Sequence, residues 1–333
     1  MPLRSLTEMP RGLLDCPAQA LHEFLGGPTL LRLEGERSPA LFVSVLLHGN
    51  ETSGWDGLRR YLSDRGGDLP RALTIFIGNT AAAAEDMRAL PGQPDFNRIW
   101  RDAQGEGGAL AAALQAAIAD EAFVAAVDLH NNTGHNPFYS VVTDLEAHNL
   151  GLAYLFSDKA VFVEEPDTVL TRTFEGRCPA VALEVGPVAD PRCVDRVIDY
   201  LARLMDLESI PEAKPELFSL FRTRVRVHVK DGVNFHFEGE GPSDDFPLVL
   251  TGGVEAVNFH ELGRGTVFGS SALAVDDVLQ VLDTDHRDVT SSYFEHDGRD
   301  ILLKESVVPA MYTTDSYVVR QDCLCYFMER LAF

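Results

Sequence analysis

"LFVSVLLHGNETSGWDG" runs from Leu41 to Gly57. Its first seven residues are apolar except for Ser44, and they do not alternate. Continuous apolar character over so short a run is the pattern of a strand covered on both faces, as in a parallel sheet. The run ends in His48, Gly49, Asn50 and Glu51, so it delivers an imidazole and a carboxylate three residues apart at its tip. Gly49 permits a sharp turn after the strand, which would let both side chains face one point. The buried strand behind them would supply the rigid support that a functional constellation needs.

Three further runs share this character: "ALTIFIGN" (72–79), "FVAAVDLH" (123–130) and "AVALEVG" (180–186). With "ALFVSVLLH" (40–48) they are read as buried strands. The intervening segments "ETSGWDGLRRYLSDRG" (51–66), "ALAAALQAAIADEA" (109–122) and "PRCVDRVIDYLARLMDLE" (191–208) are read as helices. The second is Ala-rich with Leu110, Leu114 and Ile118 four apart. Strands alternating with helices predict an α/β fold with a mostly parallel sheet. The texture changes after "IPEAKPELF" (210–218), which holds two prolines and several charges. Beyond it "TRVRVHVK" (223–230) alternates strictly, and "VNFHFEG", "PLVLTGG", "GTVFGSS" and "DDVLQVLDT" follow, separated by turn residues. These predict a smaller all-β C-terminal domain. The expected division is 1–209 and 217–333.

The bulk numbers agree with a soluble globular protein: 333 residues, 45% hydrophobic and 24% charged. The formal net charge is −23, which would repel phosphate, so nucleic acid and anionic membrane surfaces are not expected partners. Five scattered cysteines form no C-x-x-C pair and no disulfide framework, which favours a reducing compartment. No apolar stretch approaches the roughly 18 residues of a membrane span. The N-terminal stretch has no long apolar core of the secretory type, and a cytoplasmic location is the expectation.

In open α/β sheets, ligands gather at the carboxyl ends of strands. Here three predicted strands end in suitable groups: His48 and Glu51, then His130 in "DLHNNTG", then Glu184 in "LEVGP". Two imidazoles and a carboxylate form a three-ligand zinc set that leaves a fourth position open. Asp128, two residues before His130, is placed to orient that imidazole, although an unrelated salt bridge would use it equally well. Each feature alone has a plainer reading. H-x-x-E describes many surface pairs, and a strand-end histidine can be a satisfied core residue. Glu184 is harder to set aside, because a buried carboxylate is costly without a partner.

Taken in order, "LLHGNE", "GNTAAAAEDMRALPGQPDFNRIW", "DLHNNTG" and "ALEVGP" resemble the succinylglutamate desuccinylase/aspartoacylase family, a branch of the zinc carboxypeptidase-like hydrolases. The motifs span about residues 40–187. The resemblance implies a zinc-carboxypeptidase-like fold and a zinc deacylase, with one Zn2+ per chain, that cleaves the amide of a small N-acyl amino acid of the succinylglutamate or acetylaspartate kind. It implies that His48, Glu51 and His130 are the zinc ligands. Glu184 then matches the carboxylate that activates water and protonates the leaving amine. Arg88 matches the arginine that stabilises the oxyanion, and Asn97 with Arg98 the pair that binds a substrate carboxylate. Arg172 is aligned with a second anion-binding arginine, and Tyr312, in "VVPAMYTT", with a C-terminal pocket tyrosine. The segment "ALPGQPDF" between Arg88 and Asn97 is longer than the family's version by about two residues, and its prolines and glycine predict a reshaped turn.

The amide chemistry fits these residue types. Zinc lowers the pKa of water to about 7, a carboxylate beside it can act as base, and the planar fork of an arginine suits a carboxylate. A small anionic substrate is the expected partner, and a homo-oligomer is allowed. Two other readings stay open: a carboxypeptidase acting on peptides, and a non-catalytic binding protein that uses the same pocket. No G-x-S-x-G, Walker loop, G-x-G-x-x-G or H-E-x-x-H occurs. Trp55 and Trp100 are expected in the core and His135 in a loop. The acidic clusters "GEGPSDD" and "DTDHRD" lack a full calcium-ligand pattern and read as solvated turns.

Overall fold

Successive residues of the central strand enter two different cores. In the computed structural model, which describes residues 2–101, 103–132, 134–239 and 246–331, Leu41, Val43 and Val45 join one apolar cluster with Trp55, Leu58, Val197 and Leu201. Phe42 joins another with Leu110, Leu114 and Phe174. Side chains alternate across a strand, so a strand buried on both faces is apolar at nearly every position, and its one polar residue, Ser44, bonds Asp128.

The chain divides into two compact units, the first comprising residues 1–132 and 138–220. It contains β1 (Arg4–Leu6), β2 (Thr29–Leu33), β3 (Ala40–Val45), β4 (Leu73–Ile77), β5 (Phe123–His130), β6 (Tyr139–Val142), β7 (Lys159–Phe162) and β8 (Ala180–Glu184). Its helices are α1 (Leu21–Leu25), α2 (Ser53–Arg65), α3 (Thr80–Ala84), α4 (Gly105–Ala117), α5 (Ala147–Tyr154) and α6 (Arg192–Asp206). The strand order is β1-β2-β4-β3-β5-β8-β6-β7. The pairs β2-β4 and β8-β6 are antiparallel and the other pairs in this path are parallel. This is the mixed, mostly parallel α/β sheet that the sequence predicts.

Helices α2 and α6 cover the face that receives Leu41, Val43 and Val45, and α4 covers the other. A Cβ on Gly57 would lie 2.6 Å from Val197, so this glycine lets α2 and α6 approach closely. The parallel pairs β3-β5 and β5-β8 bring the ends of three strands side by side, with His130 registered opposite Glu184.

The second unit comprises residues 221–332 together with 133–137. One sheet runs β13-β9-β17-β16, from β9 (Ser219–Val229), β13 (Leu279–Asp283), β16 (Val308–Ala310) and β17 (Cys325–Arg330), all antiparallel. The other runs β10-β11-β12-β15-β14, from β10 (Phe235–Phe237), β11 (Leu248–Leu250), β12 (Val267–Ser271), β14 (Phe294–Asp297) and β15 (Asp300–Leu303). Val225, Val227, Leu248, Phe268, Ile301 and Phe327 form their common core. The compact units therefore differ from a simple division at 209 and 217, because the short segment after β5 joins the second unit. Residues 240–245 of "GEGPSDD" lie outside the described residues. "DTDHRD" is a turn in which Arg287 bonds Asp283 at 2.9 Å. All five cysteines are free, and among the described residues no helix is long and apolar enough to cross a membrane.

Candidate functional site

The predicted strand at 40–48 ends earlier, at Val45, and the chain turns at Leu46, whose φ is +59°. Gly49 has a different task from the turn assigned to it. A Cβ there would lie 2.2 Å from the backbone nitrogen of Ala83, so glycine is needed for close approach to α3. Gly49 N–H donates to the Arg88 carbonyl at 3.1 Å. The loop is thereby fixed between β3 and α3, and it presents His48 and Glu51 together.

His48, Glu51 and His130 converge, with one ligand atom of each within 4.8 Å of the others, and all three are buried. Glu51 is the hub: Oε1 lies 2.8 Å from Nδ1 of His48, and Oε2 lies 2.9 Å from Nδ1 of His130. Each imidazole is held from behind through Nε2. His48 donates to Asp95 Oδ1 at 3.0 Å, and His130 donates to Asp128 Oδ2 at 2.8 Å. Ser44 of β3 donates in turn to Asp128. A carboxylate on Nε2–H fixes ring orientation and leaves Nδ1 as the metal-binding atom, the usual arrangement behind a histidine ligand. Two Nδ1 atoms and a carboxylate facing one another fit a zinc ion with an open position.

The electrostatics follow from this packing. Burial opposes the charge on Glu51, but the two imidazoles outweigh it and hold its carboxyl below the usual range. Burial likewise opposes charging of His130, yet Asp128 and Glu51 raise its pKa well above the ordinary value. His48 is raised by Glu51 and Asp95 against the same burial. Asp95 is held low, chiefly by His48, with Arg88 and Arg98 adding to the effect over its own desolvation.

Glu184 ends β8 beside His130 and is half-buried. Its Oε2 is buried with no hydrogen-bond partner among the described residues. Burial pushes this carboxyl up to about 7, with His130 opposing and Glu51 reinforcing the rise. Among the carboxyls of the cluster it is thus the one raised toward neutrality, where Glu51 and Asp95 are held low.

Arg88 is half-exposed and reaches over the cluster. It bonds Asp95 at 3.0 Å and lies 3.7 Å from Glu51. The "ALPGQPDF" segment is an ordered turn. Gln93 N–H donates to the Leu90 carbonyl at 2.9 Å, and the amides of Gln93 and Asn79 bond reciprocally at 2.9 and 3.1 Å. Asp95 ends it and accepts from Asn97 N–H at 2.7 Å, starting the short helix Phe96–Arg98. Asn97 and exposed Arg98 are therefore tied to the centre through Asp95.

Other expected residues lie differently. Arg172 bonds the Glu164 carbonyl at 3.0 Å and faces Glu175 at 3.7 Å, so its guanidinium has local partners. Tyr312 belongs to the second unit's core, stacked on Phe268 at 5.3 Å and 1% exposed, and its hydroxyl has no hydrogen-bond partner among the described residues. His135 is an exposed loop residue 3.4 Å from Glu255. Trp55 and Trp100 are buried, as expected.

Asp95 was not foreseen from sequence; the available signal was a carboxylate two residues before Asn97, the spacing of a capping side chain. Asn131 and Asn132 were also passed over. Asn131 accepts from Ser53 N–H at 3.1 Å and donates to Ser53 Oγ and the Gly186 carbonyl at 3.0 and 2.6 Å, which clamps the His130 strand end to α2 and β8.

Comparison with curated proteins finds no significant sequence match. Among solved structures, succinylglutamate desuccinylase from Vibrio parahaemolyticus is similar at 16% identity and a TM-score of 0.57, over 91% of this chain and 86% of that one. A succinylglutamate desuccinylase/aspartoacylase from Rhodobacter sphaeroides gives 16% and 0.57, over 90% and 88%. Murine aminoacylase 3 gives 17% and 0.53, over 89% and 97%. At these identities the likeness shows a shared fold. The sequence itself matches the succinylglutamate desuccinylase/aspartoacylase catalytic domain over residues 37–206, half of the chain. Together with the motifs gathered at the ends of β3, β5 and β8, this match makes the chain a member of the succinylglutamate desuccinylase/aspartoacylase family.

Proposed function

We propose that this protein is a zinc-dependent amidohydrolase that removes the acyl group from a small N-acyl amino acid. The observation that carries the reading is the pair of imidazoles whose Nδ1 atoms meet at Glu51 while separate carboxylates hold both Nε2 atoms. That donor set suits zinc, and membership of a deacylase family and the likeness to desuccinylases and an aminoacylase support the reaction class. One zinc per chain would be held by His48, Glu51 and His130, and when bound it acidifies water and polarises a carbonyl.

The chain's own residues supply the rest. Glu184, with its raised pKa, takes a proton from the attacking water and returns it to the departing amine. Arg88 places a guanidinium beside the centre, where negative charge develops on the acyl oxygen. Asn97 and Arg98 hold the α-carboxylate of the amino acid, whose recognition needs a positive fork against a net charge of −23.

The decisive experiment is amine release from a panel of N-acyl amino acids and one peptide, with and without a chelator. Chelator-sensitive release from an N-acyl amino acid, restored by zinc, is the expected result. Release only from the peptide would replace the reading with a carboxypeptidase, and no release from zinc-loaded protein would overturn the enzyme assignment.

A further inference from the structure

Residues 131 and 132 are both asparagines, and the fold uses them in opposite ways. Asn131 engages its whole side-chain amide. Asn132 is only 5% exposed, its backbone N–H donates to the Gly186 carbonyl at 3.2 Å, and neither Nδ2 nor Oδ1 has a partner among the described residues. A buried amide with both halves unanswered is rare, because the hydrogen bonds lost on leaving water are not replaced.

Its place in the fold gives this meaning. Asn132 lies two residues beyond the ligand His130, and its backbone is pinned two residues beyond Glu184. His130 and Glu184 are themselves registered opposite each other. The residue that carries the unanswered amide therefore follows the ends of the two strands that bear His130 and Glu184.

We infer that Asn132 is a specificity residue and that the group it receives from the substrate is a neutral primary carboxamide. The inference rests on the hydrolase reading above and narrows its substrate to an N-acyl amino acid with a carboxamide, such as an acylated asparagine or glutamine. A carboxylate can accept from Nδ2 but sets its own lone pairs against Oδ1. An ammonium can donate to Oδ1 but leaves Nδ2 unanswered. The scissile amide, being trans, points its N–H and C=O in opposite directions and cannot close a two-bond ring with one side chain. A primary carboxamide has a donor and an acceptor on one edge and answers both atoms. Asn79 and Gln93 already make this reciprocal pair elsewhere in the protein.

The test compares matched pairs: N-acetylasparagine with N-acetylaspartate, and N-acetylglutamine with N-acetylglutamate. Binding to zinc-loaded Glu184→Gln protein is measured by calorimetry, and turnover is measured on the wild type. The carboxamide member of at least one pair is expected to bind about tenfold or more tighter, as sites built to hydrogen-bond a ligand reject analogues that leave them unpaired. In Asn132→Leu that preference should vanish through a higher KM, with kcat and zinc content little changed. Equal or stronger binding of the carboxylate member in both pairs would overturn the inference, and would mean that solvent serves the Asn132 amide. A preference that survives in folded, zinc-loaded Asn132→Leu would overturn it as well. Failure of the hydrolase reading is seen separately, as absence of product from wild-type protein that binds these compounds; the binding ratio still decides the role of Asn132.

Discussion

Oδ1 of Asp95 lies 3.0 Å from Nε2 of His48, and the other oxygen of the same carboxylate lies 3.0 Å from Arg88. Oδ1 also caps the short helix that begins at Phe96. One side chain thus orients His48, the proposed metal ligand, holds the arginine beside the centre and positions Asn97.

Asp95→Ala is therefore expected to weaken zinc binding by about 10- to 100-fold, the usual cost of losing a carboxylate behind a histidine ligand. It should also raise KM, since Arg88 and Asn97 lose their anchor. Competition for zinc against a chromophoric chelator reads the first effect, and steady-state kinetics under zinc saturation reads the second. Unchanged zinc affinity would show that the Asp95–His48 contact does not support the ligand.

Zinc uptake should depend on pH with a definite sign. In the metal-free protein the His130 and His48 pKa values are raised above 6.5 by their carboxylate neighbours, burial notwithstanding. Their Nδ1 protons must leave before the metal binds. Apparent affinity should accordingly increase as pH rises from 6.5 through the raised values, by up to about tenfold per pH unit for each proton displaced. Calorimetry in buffers of different ionisation enthalpy would register the proton release. An affinity that is flat over this window would contradict the proposed ligand set.

Glu184 must be ionised to accept a proton, so activity should fall as pH drops through its pKa. That value is about 7 in the metal-free protein, where burial dominates, and a bound cation lowers it, so the acid limb of kcat/KM belongs at or below 7. Glu184→Gln should remove the limb and cut kcat by about 10²- to 10⁴-fold while retaining zinc. A variant with full zinc and normal turnover would assign the proton transfer elsewhere.

Gly49→Ala tests the architecture. Its Cβ would meet backbone atoms of Ala82 and Ala83 at 2.3 and 2.2 Å, which no side-chain rotation relieves. Forcing the His48 loop away from α3 should cost about 1–3 kcal/mol, the range for overpacked sites, and lower zinc affinity together with stability. Denaturant titration of the metal-free variant measures the stability cost.

The sequence made the central strands legible because burial on both faces leaves an unmistakable apolar run, as in Leu41–Val45 and Phe123–Leu129. The shorter β1, β6 and β7, of three or four residues, give too little pattern to read. The residues of the candidate metal cluster were legible because each lies at or just beyond the end of such a run. Asp95 was not, because its role comes from a turn whose shape no local pattern specifies. Leu46 shows the same limit: nothing in a leucine side chain calls for the left-handed conformation it adopts between β3 and His48. Tyr312 was reached by alignment alone, and the packing around it gives it to the core of the second unit.

The chain leaves the first unit directly after Asn132 and re-enters it at Phe138. Within the second unit, Met311 N–H donates to Asn136 Oδ1 at 2.9 Å, so the excursion is fastened to residues made about 175 positions later. During synthesis the segment following His130 must wait for this partner until residue 311 has left the ribosome. A fragment ending at residue 220 would keep all of its proposed chemistry and lose that fastening, so the two units cannot be parted by a single cut without leaving a loose end next to His130.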